Sequence, residues 1–230
     1  MNYIKINDVD SRSITGLLIQ SLPSIIKPRR RYELEEIDGR DGDVVTFLGY
    51  GSADVEMSIG LRGNYNIDDV ISFFDAEGTI VFSNEPTKYY KFSILEQIDF
   101  ERLVTFRTAT VLIHLQPFKY KVNETAVDLL TSNGVVVNSG NRVAKPILSL
   151  EGSGNISITL NGSLALQIAL GDETAITIDV NALEAYNEGV LKNRLCTGDY
   201  ENLELAVGTN VFEFSGTVTS AEITNYSRWL

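Results

Sequence analysis

Apolar and polar residues alternate with a period of two along much of this chain. Between residues 53 and 61 every odd position is apolar, and every even position is polar or glycine. Such alternation predicts a β-strand with one buried face. Similar apolar or alternating patterns predict further strands at residues 3–6, 89–100, 104–116, 156–160, 164–170, 175–180, 211–214 and 218–226. The chain is therefore expected to be mainly β.

Two connections between these strands carry recognisable signals. Asn161-Gly162 separates two alternating segments, and this dipeptide suits a type I′ hairpin turn because both central residues need positive φ. The long strand candidates 89–100 and 104–116 are separated only by Glu101-Arg102-Leu103. This short separation predicts a second, long antiparallel hairpin.

One segment of the first half follows helical spacing instead. Asn66 is suited to cap the N-terminus of this helix and Gly78 to end it. Acidic residues in the first turn favour the same start, because the helix dipole is positive there. The apolar stripe of this helix consists of Ile67, Val70, Ile71, Phe73 and Phe74, which should cover one face of a sheet. A second, shorter helical turn is predicted in the other half of the chain, around residues 182–186.

The composition of the chain changes near residues 121–126. Residues 1–122 contain 14 basic and 18 acidic side chains, whereas residues 123–230 contain 5 basic and 13 acidic ones. Beyond the change, short strands punctuated by Gly and Asn follow one another about every ten residues, which is typical of a β-sandwich. We therefore predict two domains, residues 1–122 and residues 123–230.

The overall composition narrows the function classes. With 43% hydrophobic and 22% charged residues the chain is globular. No apolar stretch reaches the roughly 18 residues of a membrane span, and no signal peptide is visible, so we expect synthesis in the cytoplasm. A net charge of −12 argues against nucleic-acid binding as the main task. The one basic run, Lys27–Arg31, is followed by Glu33, Glu35 and Glu36, and is interpreted as a locally compensated surface or a subunit contact.

The sequence contains no identifiable set of catalytic residues. His114 and Cys196 are the only residues of their types; we interpret His114 as a satisfied strand residue and expect neither to be catalytic. One His and one Cys also leave too few ligands for a zinc site. Residues 38–43 lack the ligand spacing of a calcium loop and predict turns between strands. Gly152–Gly154 has strands on both sides, so it predicts a turn and not a phosphate loop. We expect no catalytic, cofactor-binding or metal-binding residues.

Taken in order, these features resemble the distal tail protein (Dit) family of long-tailed, non-contractile bacteriophages and prophages. The resemblance extends over essentially the whole chain. It rests on the order and spacing of the segments 3–6, 39–42, 116–120, 146–154, 161–162, 176–179, 203–208, 210–216 and 226–230, together with the helix and the long hairpin of the first half.

The resemblance implies a structural, non-enzymatic role in the virion tail. Members form a homohexameric ring, a baseplate hub that joins the major tail tube protein to the tail-associated or tape-measure protein and to receptor-binding proteins. DNA crosses the ring only as passing cargo, and no membrane is involved. Residues 1–122 would form the ring from a β-sandwich or barrel-like domain with one α-helix. Residues 123–230 would form a galectin-like β-sandwich.

A carbohydrate-binding protein with a galectin-like module is the alternative function, and an unrecognised hydrolase is a third. Sugar rings stack on exposed aromatic side chains, so the alternative depends on the aromatic residues of the second half. Phe212 and Phe214 alternate along a strand and are interpreted as core. Tyr186 and Tyr200 lie in predicted loops, and Trp229 lies next to the C-terminus. These few aromatic residues favour a scaffold over a sugar site.

Overall fold

The computed structural model describes all 230 residues, which form two compact units, Met1–Val122 with Leu230 and Asn123–Trp229. Each unit has its own hydrophobic core, and the prediction of a mainly β chain is confirmed. The elements of the first unit are the strands β1 Ile4–Ile6, β2 Val9–Asp10, β3 Leu17–Ser21, β4 Arg30–Glu36, β5 Asp43–Tyr50, β6 Ala53–Leu61, β7 Glu77–Phe82, β8 Lys88–Ser93 and β9 Thr108–Lys121, and the helices α1 Ile67–Phe74 and α2 Phe100–Phe106.

The first unit is built on one antiparallel sheet with the strand order β2-β1-β7-β8-β9-β6-β3. The alternation along β6 is confirmed, since Val55, Met57 and Ile59 are buried while the residues between them face outward or lie at the rim. Both helices contribute to the same core, α1 through Val70 and its two phenylalanines, and α2 through Leu103.

Helix α1 begins where the sequence predicts and ends earlier. The side chain of Asn66 accepts a hydrogen bond from the Asp68 N–H (3.1 Å), which confirms the N-cap. The helix ends at Phe74, and Asp75 donates its backbone N–H to the Ile71 carbonyl (2.9 Å). Gly78 as the helix end is therefore wrong. It lies within β7 at φ 126°, because the next strand begins at Glu77, only two residues after Asp75.

The predicted long hairpin over residues 89–116 is wrong in its connection. Strands β8 and β9 do pair antiparallel, but β8 ends at Ser93 and helix α2 lies between them. Asp99 caps this helix by accepting from the Arg102 N–H (2.8 Å), and Leu103 is fully buried. The apolar residues of this segment therefore follow a helical and not a strand period. The first unit contains two α-helices where one was expected.

The second unit is dominated by two long strands that pair with each other along most of their length. They are Ile147–Leu160 and Gly208–Thr224. The strands of this unit are β10 Val127–Asp128, β11 Val135–Asn138, β12 Ile147–Leu160, β13 Ser163–Ala169, β14 Ala175–Asp179, β15 Glu184–Asn187, β16 Val190–Leu191, β17 Cys196–Gly198, β18 Gly208–Thr224 and β19 Arg228–Trp229. The sheet containing the two long strands has the order β10-β18-β12-β14-β15-β16. Of the remaining strands, β11 pairs with β18, and β13 pairs with β12 and β17.

Glycines allow the two long strands to remain continuous where the sequence predicted interruptions. The predicted turn at Gly152–Gly154 is wrong, since these residues lie inside β12, and the predicted strands 211–214 and 218–226 are one strand, β18. The pairing register shifts at this point. A Cβ atom on Gly216 would lie 2.2 Å from the carbonyl oxygen of Asn155. The close approach of the two backbones excludes a side chain at this position. Glycine is therefore needed here because β12 and β18 lie so close together, and not because the chain reverses direction.

Two further local predictions concern turns of the second unit. Asn161 and Gly162 have φ angles of 51° and 81° and join β12 to β13, which confirms the predicted hairpin. The predicted helical turn at residues 182–186 is wrong. The Asp179 carboxylate accepts hydrogen bonds from the backbone N–H groups of Asn181 and Ala182, and this turn leads directly into β15.

In neither unit is any helix long and apolar enough to span a membrane.

Candidate functional site

Strands β4 and β5 form a two-stranded hairpin that pairs with no other strand of the chain. Every residue of β4 is exposed, and the hairpin contributes no hydrophobic residue to the buried core. An isolated two-stranded sheet is marginally stable in water. We call residues 30–50 the ribbon, and it is the strongest candidate for a functional surface in the first unit.

One face of the ribbon is apolar and faces solvent. Tyr32 lies opposite Phe47, and Leu34 lies opposite Val45. These four side chains are 52%, 54%, 51% and 64% exposed in that order. Three of them, with Arg30 and Tyr50, line a groove of about 400 Å³. An alternating pattern normally places its apolar side against a core. This exposed apolar face is therefore a candidate contact surface.

The two ends of the ribbon differ in how they are held. At its root, the ring of Tyr50 packs edge-to-face against Phe118 of β9, with centroids 5.7 Å apart. The Gly51 N–H donates to the Arg29 carbonyl (2.8 Å), which closes the base of the hairpin. At its tip, Gly39 and Gly42 have φ angles of 81° and 77°, so they form turns between strands as the sequence predicted. The root has a defined position on the sheet, and the tip lies in an exposed loop.

Charge is segregated along the ribbon. The root, together with the residues just before it, carries the basic run Lys27–Arg31, and the tip carries Glu36, Asp38, Asp41 and Asp43 with Arg40 as its only cation. Two further carboxylates, Glu33 and Glu35, lie along β4 between the two ends. All of these charged residues are exposed, and none forms an ion pair within the chain. The acidic residues that follow the basic run therefore do not compensate it by direct pairing.

A polar cluster around the buried Lys119 lies elsewhere in the first unit. Lys119 Nζ donates to both carboxylate oxygens of Glu85 (2.9 and 3.1 Å), and the Tyr90 hydroxyl donates to the same carboxylate (2.9 Å). Burial opposes ionisation of Glu85, but these hydrogen bonds outweigh it and lower the pKa of the carboxyl group. Burial, with the carboxylate beside it, raises the pKa of Tyr90. The cluster links the loop before β8 to β9, and no sequence motif indicates it because Lys119 lies 34 residues away from Glu85.

The two residues with reactive side chains lie in different units, and each has a polar partner. His114 lies on β9, where Nδ1 donates to Oδ1 of Asp54 on the neighbouring strand (2.7 Å). The small cavity beside this pair, about 130 Å³, is also lined by Leu95, Glu96 and Leu112. A His–Asp pair activates a nucleophile only where a hydroxyl or thiol faces it, and none lines this cavity. The pair joins β6 to β9 on the outer side of the sheet.

Cys196 is half-buried on β17 in the second unit. Burial raises the pKa of its thiol, against the opposing effect of a hydrogen bond with Tyr200. A raised pKa disfavours the thiolate, which is the nucleophilic form. This environment is typical of a packed cysteine.

The aromatic residues of the second unit divide between core and surface. Phe212 is buried and stacks with Phe214 at 6.3 Å between centroids, so the interpretation of this strand as core is confirmed for Phe212. The Tyr200 hydroxyl donates to Asn193 Oδ1 (3.2 Å), and this ring packs against the hydrophobic core. Tyr186 is half-buried on β15, opposite Leu191.

This architecture was compared with those of known proteins. No family model matches the chain, and no curated protein does. Among solved structures, the Dit protein of phage SPP1 covers 100% of both chains with a TM-score of 0.67 and 14% sequence identity. The chain has the fold of a distal tail protein. A baseplate structure of phage P2 in its activated conformation also matches this Dit-like chain, with a TM-score of 0.50, 10% identity and 97% of both chains covered. The family resemblance read from the sequence is confirmed at the level of fold.

Proposed function

We propose that this protein is a structural, non-enzymatic subunit of the tail tip of a phage or prophage. The observation that carries the proposal is the full-length fold match to SPP1 Dit, described as a paradigm of the hub adsorption apparatus in phages that infect Gram-positive bacteria. By analogy the Dit-like chain forms a homohexameric hub in the virion tail. It joins the tail tube to the tail-associated and receptor-binding proteins.

Residues 1–122 carry the ring contacts in this proposal, and the ribbon is the main one. Its apolar face is half exposed in the single chain, and burying it against a neighbouring copy removes this surface from water. A heterologous contact of this kind gives a closed ring when the rotation between copies matches a cyclic group. Closing the ring also protects exposed strand edges from uncontrolled pairing.

Residues 123–230 act as a docking or spacer domain for other tail proteins. The packing of Tyr200 and Phe212 supports this role over sugar stacking. A protein contact needs only about 800 Å² of buried surface on each partner and no pocket.

The net charge of the whole chain, −12, suits a channel that DNA crosses without adhering, since like charges repel phosphates.

Negative-stain electron microscopy of three proteins tests this division of labour. These are the full chain and two shortened chains, residues 1–122 and residues 123–230. The proposal expects six-fold rings for the full chain and for residues 1–122, and monomers for residues 123–230. Rings formed by residues 123–230 alone, with monomeric residues 1–122, would reverse the assignment of the two units.

A further inference from the structure

The acidic tip of the ribbon lies too far from the basic root to pair with it within one copy. From Arg30 to Glu36 the strand β4 advances six residues, which is about 20 Å at the usual strand rise. Charges on exposed side chains are largely screened beyond about 8 Å at physiological ionic strength. The tip carboxylates and the root cations of the same ribbon are therefore screened from each other, and Glu33 and Glu35, which lie between them on β4, form no ion pair with the root.

Both ends remain available to a partner. The root carries four cations, Lys27 and Arg29–Arg31, and the tip carries four carboxylates with one cation, Arg40. None of these side chains forms an ion pair in the chain, although exposed Arg12 and half-buried Lys192 do pair elsewhere. A partner that fits this ribbon carries a basic patch for the tip or an acidic patch for the root. A second copy of this chain carries both.

We propose that ribbons of neighbouring copies engage head to tail, with the acidic tip of one ribbon docked on the basic root of the next. This inference rests on the proposed ring function and adds the direction of the contact. Tip-to-tip or root-to-root contact would bring like charges together, which suppresses the wrong register. Tip-to-root contact pairs the charges, while the apolar faces between the two ends supply buried area. Because each copy gives its tip to one neighbour and its root to the other, the contact propagates around a ring.

Charge-reversal variants of the full chain test the direction. The tip variant is Asp38→Lys/Asp41→Lys/Asp43→Lys, and the root variant is Arg29→Glu/Arg30→Glu/Arg31→Glu. A matched control, Glu151→Lys/Glu213→Lys/Glu222→Lys, makes the same charge change as the tip variant on exposed strand positions of the second unit. Thermal unfolding of each chain shows that it is folded. Light scattering over a concentration series gives the midpoint of assembly.

We expect the tip variant and the root variant each to raise the assembly midpoint by about tenfold or more. The two sets of reversals combined in one chain should restore the midpoint to that of the wild type, and so should an equimolar mixture of the two single-set variants. Added salt should weaken wild-type assembly and strengthen that of each reversed variant, because it screens attraction in the first and repulsion in the second. The control should assemble like the wild type.

Four results would overturn the proposal. If both reversed variants assemble like the control, the ring does not use a tip-to-root contact, although the proposed function would survive. If only the root variant fails, the root binds a different acidic surface. If the restored assembly has the mass of a dimer, the contact is reciprocal and not head to tail. A wild-type chain that stays monomeric at every concentration would contradict the proposed ring itself, together with this inference.

Discussion

Phe47→Ser should weaken assembly without unfolding the chain. Phe47 lies at the centre of the apolar ribbon face and is 54% exposed in the single chain. An aromatic side chain buries 150–250 Å² when fully covered, so about 100 Å² remain to be buried by a neighbour. At about 25 cal/mol per Å² this amounts to about 2.5 kcal/mol per contact, or a loss of about 70-fold in affinity.

The free energy of unfolding of the single chain should change by less than about 1 kcal/mol, because Phe47 belongs to neither hydrophobic core and its side-chain neighbours, among them Tyr32 and Tyr50, lie on the exposed ribbon. Urea unfolding measures this term, and analytical ultracentrifugation measures assembly. Leu164→Ser is the matched control, since Leu164 is 58% exposed in the second unit. Unchanged assembly of Phe47→Ser, or an equal loss in both variants, would refute the assignment of the ribbon as the contact.

Three further predictions concern the rest of the chain. Glu85→Gln should destabilise the first unit by about 2 kcal/mol in urea unfolding, since it leaves the buried Lys119 ammonium without its carboxylate. The lowered pKa of Glu85 stabilises the fold above the carboxyl's unfolded pKa and ceases to do so as pH falls through the folded value, so the variant should lose part of the wild type's acid sensitivity; equal acid sensitivity would contradict this. His114→Gln and Cys196→Ser should each leave ring formation intact, with a stability loss of about 1 kcal/mol, and a folded, assembled variant that failed in tail function would reopen an enzymatic role. Calorimetry of the second unit with cell-wall saccharides should detect no binding tighter than about 100 μM, and tighter binding that was lost on replacing an aromatic residue would favour the carbohydrate-binding alternative; the residues to replace are Tyr186, Tyr200 and Trp229.

Local signals in the sequence predicted the elements whose cause is local. The alternation over residues 53–61 specifies β6 because one face must be buried. Asn161-Gly162 specifies its hairpin because both central residues of the turn need positive φ, which few pairs of residues adopt. Asn66 specifies the start of α1 because its side chain satisfies a free N–H group. In each case the deciding interaction lies within a few residues.

Elements decided by distant contacts were predicted poorly. The sequence predicts the turn of a hairpin where α2 lies, because the seven residues of this helix are too few to show a clear period and its position depends on burying Leu103. The sequence predicts a turn at Gly152, although this glycine permits the close approach of β18, about 60 residues away in sequence. The ribbon obeys the alternation rule, but the rule cannot say that its apolar face remains uncovered in the single chain. Covering that face would require a second chain, which the alternation within one chain does not encode.

Native mass spectrometry of the full chain tests the central claim most directly. A Dit-like ring predicts a dominant species of about six times 25.4 kDa, with few intermediates because a closed ring gains its last two contacts together. A monomer that persists at micromolar and higher concentrations, or an open series of lengths without a preferred closure, would contradict the account.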